Sequence, residues 1–472
     1  MSRRLVLAVP ALLLAGCASI GEMPPRPDIA VPDTFTFATT PGTDLNLAVD
    51  SLLPSETPAF IALMKRAADA PDLAIAIARI DAARAVAQRA KAERQPSIDV
   101  GASAQQQRSN PNQFGSAVTG GIDTSRFSIG SNINASWELD LFGRLKASQR
   151  AAKTRLDAAG FDAETVRIAL ATEIAAAVVD WQSLTAQQAQ ITANVAAAES
   201  RSALIKSRVR AGLNPGLDAM RADAVVEGLR SQLAPLTGEE VQVVARLVAL
   251  TGGSADTVTS DLKLSPEQWS GGEAPTTAPS FLVATRPDVQ AAAARLAASD
   301  ADLAAIAAQR FPRFTLSSAL GLLAFSVGGL FDSDAITGQL GGSIAGPLLD
   351  FGRIQSEIDG GKAQTRVAFE QLRKATFTAL GEAEGGFGQL ASADREATLL
   401  AAQAAREADV ASVSASRYRA GLESLIAVLD ADRTAYATQQ QAIAAKGRAQ
   451  RARLNLWQSL GGPGVAGLFG AR

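Results

Sequence analysis

Polar and apolar residues alternate along four stretches of this 472-residue chain. In the 15 residues that begin at Phe127, every odd-numbered residue is apolar except Ser131, and every even-numbered residue is polar or glycine. Similar runs begin at Ile98, Phe314 and Ile336. Period two indicates β-strands with one apolar face. Strands of soluble sheets usually have about 5–6 residues and membrane-spanning strands about 9–11, so this length favours a wall between lipid and water over a soluble sheet.

Four strands are too few to close a membrane barrel, because the smallest such barrels have about eight. An open edge in hydrocarbon would leave backbone groups without hydrogen bonds, at several kcal/mol each. The chain must therefore share its barrel with copies of itself. Two copies would supply about 8 strands and three copies about 12, and strand arithmetic leaves both possibilities open.

A long helical segment follows each pair of strands. Residues 143–211 and 352–420 each comprise 69 residues without a proline. At about 1.5 Å per residue, each helix would be about 100 Å long. Apolar residues of the first segment recur at alternating spacings of three and four, which predicts a coiled-coil seam. This seam consists of Ile174, Val178, Trp181, Leu184, Ile191, Val195, Ala198, Ile205 and Val209. The second segment contains Gly385, Gly386 and Gly388, which indicate either close helix packing or a local break.

The chain contains an internal duplication. The sequence Arg-Val-Arg-Ala-Gly-Leu at 208–213 recurs as Arg-Tyr-Arg-Ala-Gly-Leu at 417–422, and Phe-Gly-Arg at 142–144 recurs with the same offset of 209 residues. A third landmark, Ala-Pro-Asp-Leu at 70–73, recurs as Arg-Pro-Asp-Val after 216 residues, and its aspartates are predicted helix N-caps. Three landmarks in one order indicate two copies of one structural unit.

These landmarks predict the domain organisation. The first part comprises a lipoprotein signal peptide at 1–16, a lipidated extended arm at 17–58, and repeat 1 at 59–253. Repeat 1 contains a helix, a β-hairpin at about 96–141, a long helix at 143–211 and a return helix at 215–252. A linker or equatorial segment at 254–285 precedes repeat 2 at 286–462. Repeat 2 contains a helix, a β-hairpin at about 312–349, a long helix at 352–420 and a return helix at 424–460, and a tail at 463–472 follows.

The N-terminus has the features of a targeting segment. Arg3 and Arg4 precede an apolar run, Leu5–Leu14, that is too short to span a bilayer. The run ends in Leu-Ala-Gly-Cys, which resembles the lipobox of bacterial lipoproteins. Cys17, the single cysteine, would then carry an N-acyl diglyceride with palmitate-type chains. The alternative is an ordinary secretory signal with an incidental cysteine.

Composition narrows the possible chemistry. The chain has no histidine, which excludes imidazole-dependent metal sites and acid–base mechanisms. Gly341-Gly342-Ser343 lacks the lysine of a phosphate-binding loop, and no Gly-x-Ser-x-Gly sequence is present. A formal net charge of −2 gives no indication of a nucleic-acid partner. We therefore predict no enzyme activity, no catalytic residues, no metal and no cofactor other than the lipid on Cys17.

The lipobox, the duplicated strand pairs, the Phe-Gly-Arg sequences and the Arg-Ala-Gly turns together resemble outer-membrane efflux proteins of the TolC/OprM family, in its NodT-type RND lipoprotein branch. The resemblance implies a mixed α and β membrane protein with two structural repeats per chain. Four strands per protomer would form a trimeric 12-stranded transmembrane β-barrel, continuous with a long periplasmic α-helical coiled-coil barrel. The protein would be lipid-anchored in the outer membrane, span it and extend into the periplasm.

The same resemblance implies a function. The chain would form the exit duct of a tripartite efflux pump that carries small molecules such as drugs or metabolites. Its partners would be two further copies in a homotrimer, a periplasmic adaptor (membrane fusion) protein, an inner-membrane RND-type transporter and outer-membrane lipid. The main alternative is a type I protein-secretion duct, which the lipobox disfavours by family analogy. A structural lipoprotein without a channel is disfavoured by the long amphipathic strands.

Site residues follow from the family pattern at the helical turns. The turns would dock the adaptor through Arg210, Ala211, Gly212, Leu213, Arg419, Ala420, Gly421 and Leu422. Each glycine permits a left-handed turn, and each leucine offers an apolar contact. Ile426 and Asp430 lie at positions i and i+4 of one helix face. They match a ring of Leu and a ring of Asp that, in members of this family, constrict the channel at its periplasmic end. The corresponding positions of repeat 1 are Leu217 and Arg221, so no second acidic ring is expected.

Overall fold

The computed structural model describes residues 26, 28–38, 52–108, 125–272 and 279–469. The first repeat contains α1 (Pro58–Ala67), α2 (Pro71–Ala92), β1 (Ser97–Arg108), β2 (Ser125–Glu138), α3 (Arg144–Arg210), α4 (Gly216–Ser231) and α5 (Leu233–Thr251). Helices α6 (Ala255–Leu262) and α7 (Pro279–Thr285) follow. The second repeat contains α8 (Pro287–Ala307), β3 (Arg313–Ala324), β4 (Ile336–Ala345), α9 (Arg353–Arg419), α10 (Leu425–Ser459) and α11 (Val465–Leu468).

The chain divides into two compact units. One comprises residues 1–28, 81–158 and 293–371 and includes the four strands. The other comprises residues 29–80, 159–292 and 372–472 and includes the helical turns at 211–215 and 420–424. The largest buried apolar cluster lies in the second unit, around Ile174, Leu247 and Trp457.

The four strands form one antiparallel sheet in the order β1-β2-β3-β4. Its register aligns the apolar residues of all four strands, since Val100 pairs with Ile133, Ile133 with Leu320, and Leu316 and Leu320 pair with glycines of β4. Directly paired residues point to the same face of a sheet. One face therefore carries the apolar residues that the period-two pattern identified. The opposite face carries the row formed by Asp99, Asn134, Ala319 and Gln339.

An aspartate caps the start of each long helix. The carboxylate of Asp140 accepts hydrogen bonds from the backbone amides of Leu145 and Lys146, both at 2.8 Å. Asp350 accepts from Gly352 and Ile354 at 3.1 and 3.0 Å, and these bonds hold its pKa below the usual value. The two aspartates differ by one position relative to Phe-Gly-Arg, yet both satisfy free amides at a helix N-terminus.

The coiled-coil seam of α3 is confirmed by its burial. Seven of its nine residues are buried, namely Ile174, Val178, Trp181, Leu184, Ile191, Ala198 and Ile205. Val195 and Val209 are half-buried and pack against smaller apolar clusters nearer the turns. The three–four spacing therefore marks the face that α3 turns toward its neighbours.

The prediction of a single return helix at 215–252 is wrong. The segment is divided into α4 and α5, with Gln232 between them. Pro235 explains the division, because proline donates no backbone hydrogen bond and its ring clashes with the carbonyl four residues earlier. The counterpart in repeat 2 has no proline, and α10 runs unbroken from Leu425 to Ser459.

Other boundaries also differ from the sequence prediction. The segment at 254–285 contains α6 and α7, and the C-terminal tail contains α11. Helices α2 and α8 begin at Pro71 and Pro287, so Asp72 and Asp288 lie in the first turn and not at the N-cap. Proline is well suited to the first helical position, where its missing amide hydrogen costs nothing.

Two of the three glycines at 385–388 in α9, Gly386 and Gly388, lie at close packing contacts, whereas a Cβ at Gly385 would meet nothing within 4 Å. The helix is continuous through them, so they do not mark a break. A Cβ atom added at Gly386 would lie 3.0 Å from Ser459 Oγ and 3.1 Å from Leu456 Cδ1, both on α10. A Cβ at Gly388 would lie 3.7 Å from the ring of Phe37 in the N-terminal arm. The backbone amides of Thr36 and Phe37 also donate to the Glu384 carboxylate, at 2.7 and 3.0 Å.

Candidate functional site

The two Arg-Ala-Gly-Leu turns have the same backbone geometry. Gly212 and Gly421 have φ angles of 72° and 74°, in the left-handed region where glycine is unstrained. In each turn the glycine amide donates to a carbonyl three residues earlier, and the following leucine amide donates to a carbonyl five residues earlier. This is a Schellman motif, which ends a helix and satisfies its last carbonyls. The repeated sequence thus encodes a repeated stop.

The predicted docking residues are exposed. The structure leaves Arg210, Ala211, Gly212, Leu213, Arg419, Ala420, Gly421 and Leu422 open to solvent. Leu213 and Leu422 are equally exposed, at 69% each. Both turns therefore present an apolar side chain beside an arginine.

An apolar cluster joins the ends of the four helices at the two turns. It comprises Ile205 of α3, Ala222 of α4, Tyr418 of α9, and Leu425, Val428 and Leu429 of α10. The cluster packs the two helix pairs side by side, so the two turns lie at the same end of this helical unit.

Ile426 and Asp430 line one groove between α4 and α10. Arg221, which is the repeat 1 counterpart of Asp430, lines the same groove, as does Arg433. Ile426 is 58% exposed, and Asp430 is exposed as well. Within the described part of the chain, the Asp430 carboxylate has neither an ion-pair partner nor a hydrogen-bond donor. Its charge is therefore available to whatever enters the groove.

Polar links between the repeats escaped the sequence prediction. Asn214 in the first turn donates from Nδ2 to the Tyr418 hydroxyl of α9 at 3.0 Å and to Asp218 at 2.9 Å. Arg201 of α3 forms an ion pair with Asp432 of α10, whose side chain is only 5% exposed. The sequence signal available for this ion pair was Asp432 itself, an aspartate on an apolar helix face. Its partner 231 positions away had no signature in the sequence.

Comparison with known proteins supplies the family. A family model described as "Outer membrane efflux protein" matches residues 63–253 and 278–462. The pyoverdine export outer membrane protein OpmQ of Pseudomonas aeruginosa is 28% identical over 467 residues, covering 98% of this chain and 97% of the relative. The toluene efflux pump outer membrane protein TtgF of Pseudomonas putida is 30% identical over 340 residues, covering 70% and 69%. The chain belongs to the outer membrane efflux protein family.

Solved structures agree with this assignment. A membrane protein from Pseudomonas aeruginosa superposes with a TM-score of 0.84 at 26% identity, covering 94% of this chain and 98% of that one. The outer-membrane channel OprN superposes with a TM-score of 0.83 at 25% identity, covering 94% and 99%. The predicted family and the mixed α and β fold of trimeric efflux channels, with a β-barrel and a helical barrel, are confirmed.

Membership in the outer membrane efflux protein family also confirms the predicted function at the level of class. The chain is the outer-membrane channel component of an efflux pump, and it extends from the outer membrane into the periplasm. None of the described helices is long and apolar enough to cross a membrane. The predicted lipidation site, Cys17, lies outside the described residues.

Proposed function

We propose that this channel is the exit duct for small molecules, such as drugs or metabolites, in a tripartite pump with a periplasmic adaptor and an inner-membrane RND-type transporter. The sheet register carries this proposal, since it places most of the large apolar residues of the four strands on one exposed face and four of their five charged residues on the other. Such a sheet separates lipid from a water-filled passage. We infer no catalytic role for the chain, and the energy for transport would come from its partners.

A homotrimer completes the barrel. Within the described strands, β1 and β4 are the two edges of the sheet, and each pairs with one strand only. An unpaired edge in hydrocarbon leaves backbone groups unsatisfied, so β4 of one protomer would pair with β1 of the next. Three copies would then give about 12 strands, in keeping with the trimeric family.

Similarity to relatives supports small cargo over protein cargo. The relatives are named for pyoverdine export, toluene efflux and antibiotic efflux, and none of these cargoes is a protein. The two exposed turns are the proposed adaptor contacts, through Leu213 and Leu422 with their flanking arginines. Because Asn214 and Glu423 differ between the turns and bind different neighbours, the two contacts would be similar but not identical.

Efflux of a preloaded lipophilic dye tests the cargo class. Cells that lack this protein are expected to retain the dye, and expression of the wild-type chain is expected to restore efflux of the dye. Unchanged efflux together with the absence of one protein from the medium would contradict the small-molecule duct and favour type I secretion. Coexpression of the adaptor and transporter from the same strain ensures that a missing partner is not read as a missing channel.

Asp430 is the proposed periplasmic gate residue, together with the apolar ring of Ile426. Three copies of the unpaired carboxylate around a narrow axis would attract cations and repel one another. We expect Asp430→Ala to lower the K⁺ over Cl⁻ permeability ratio of the purified channel by about twofold or more. Reversal potentials in planar bilayers measure this ratio. Asp409→Ala, which removes an exposed acid of α9 outside the groove, is the matched control; an equal shift in both variants would contradict the gate.

Cys17 is the proposed lipid attachment site. Replacing Cys17 with serine is expected to abolish incorporation of radiolabelled palmitate, because the hydroxyl does not substitute for the thiol in lipoprotein processing. The barrel supplies its own membrane contacts, so the Cys17→Ser chain is still expected in the outer-membrane fraction. Absence of label from the wild-type chain would show that the N-terminus is an ordinary signal with an incidental cysteine, and label retained by the variant would place the lipid on another residue.

A further inference from the structure

Charged residues of the four strands are distributed unequally between the two faces of the sheet. The strands contain five of them: Asp99, Arg108, Arg126, Glu138 and Arg313. The register places Asp99, Arg126, Glu138 and Arg313 on the polar face, and it leaves only Arg108 on the apolar face. Four of the five charges therefore face the passage of the channel.

Among the charged strand residues of the polar face, Arg126 lies nearest the outer end of this passage. Strand β2 runs from Ser125 to Glu138, and the long helix α3 follows Glu138 after a short turn. Since the helices extend into the periplasm, the start of β2 lies at the extracellular end. The other charges of the polar face lie farther toward the helices. Glu138 is the last residue of β2 and Arg313 the first residue of β3, both at the end of the sheet nearest the helices, and Asp99 pairs with Asn134 between the two ends.

A phenylalanine ring lies against the guanidinium of Arg126. The guanidinium carbon of Arg126 lies 4.1 Å from the ring centroid of Phe325. Phe325 follows β3 directly and has the same parity as Leu323, which pairs with Gly130 on the polar face. A guanidinium over an aromatic ring is attracted by the negative face of the ring. Both side chains are exposed, and Phe325 is 55% accessible.

We propose that Arg126 and Phe325 form a positively charged aromatic collar at the extracellular exit, which favours anions over cations in the last part of the passage. Rings of arginine in a channel lining select for anions, because the fixed charge raises their local concentration. Asp332 and Asp334 lie in the β3–β4 connection and are not part of the strand wall. A ring of three Arg126–Phe325 pairs, one from each protomer, rests on the proposed trimer. The charge of Arg126 on β2 is a property of a single protomer.

Gln107 offers a position from which this charge is measured directly. It pairs with Arg126 across β1 and β2, so its side chain is on the same face and adjacent. In Gln107→Cys, the rates of modification by an anionic and a cationic methanethiosulfonate reagent, added outside intact cells, report the local potential. This assay does not require an open periplasmic gate. Unheated gels first establish that each variant forms trimers, which separates loss of assembly from loss of charge.

We expect Arg126→Gln to lower the anionic-to-cationic rate ratio at Gln107→Cys on the order of fivefold at low salt, and Arg126→Lys to preserve it. The effect is expected to vanish at about 1 M salt, where the screening length falls to about 3 Å. Arg108→Gln is the matched control. Arg108 is the next residue after Gln107 in β1, so the variant removes the same charge on the opposite face of the sheet. A ratio unchanged by Arg126→Gln, an equal fall with Arg108→Gln, or a cysteine unreactive toward both reagents would each overturn the proposal.

Discussion

Replacing Ile133 with arginine is expected to reduce the amount of trimer in the outer membrane on the order of tenfold or more. Ile133 lies near the middle of β2, pairs with Val100 and Leu320, and is 52% exposed on the apolar face. An arginine on the lipid face near the bilayer midplane costs about 2–4 kcal/mol, and a trimer contains the substitution three times. The amount of trimer is measured by quantitative immunoblotting of unheated outer-membrane fractions.

Asn134→Arg is the matched control. Asn134 is adjacent in sequence and lies at the same depth, but it pairs with Asp99 on the polar face. An arginine there faces water and an acidic side chain, so we expect near-normal assembly. Equal loss of trimer in both variants would show that the sheet does not separate lipid from water as proposed. Equal assembly of both would show that the apolar face is not exposed to lipid.

Replacing Arg286 with alanine is expected to destabilise the chain by about 1–3 kcal/mol, since the guanidinium is buried but its carboxylate partners are half-exposed. The side chain is only 7% exposed, and it donates to the Asp288 carboxylate, to Glu382 Oε2 at 2.7 Å and to the Ser459 carbonyl at 2.7 Å. Burial would lower the pKa of Arg286, but the hydrogen bonds and charges of the two carboxylates raise it overall. Removing the guanidinium takes a donor from both carboxylates and from the Ser459 carbonyl, although Asp288 Oδ1 still accepts from the Val289 amide.

Thermal unfolding of the detergent-solubilised trimer measures this loss. Arg89→Ala is the control, because Arg89 forms an exposed ion pair with Glu93 one helical turn away, and such pairs contribute about 0–1 kcal/mol. Arg286→Lys is expected to lie between the two, since lysine keeps the charge but not the planar set of donors. A midpoint for Arg286→Ala as close to wild type as that of Arg89→Ala would contradict a structural role for this buried arginine.

The strands show how a local pattern predicts a tertiary property. Period two along β2 predicted one apolar face, and the register then placed the matching faces of all four strands together. The prediction succeeded because alternation follows from the geometry of a single strand. The division of the return helix was missed because Pro235, inside the segment predicted as one helix at 215–252, was not taken as a break.

The buried polar contacts lay beyond the sequence. Arg286-Pro287-Asp288 was recognised as a repeated landmark, and Asp288 as an acid at a helix start, yet the partner Glu382 is 96 residues away. Asn214 meets Tyr418 across 204 residues. Both contacts depend on which helices pack together, and no periodicity along one helix reports that. The sequence described each turn correctly and contained no sign of the bond between them.

The sequence by itself determined the duplication, the amphipathic strands, the proline-free long helices and the glycine turns, because each depends on residues within one element or on exact repetition. It determined the family as well, since several such elements recur at fixed spacings. Only the tertiary structure decided which side chains neutralise Arg286, how the two turns are joined and which charges line the passage. Those contacts require helix packing and strand register, which arise from the burial of apolar surface by the whole chain and not from any local segment.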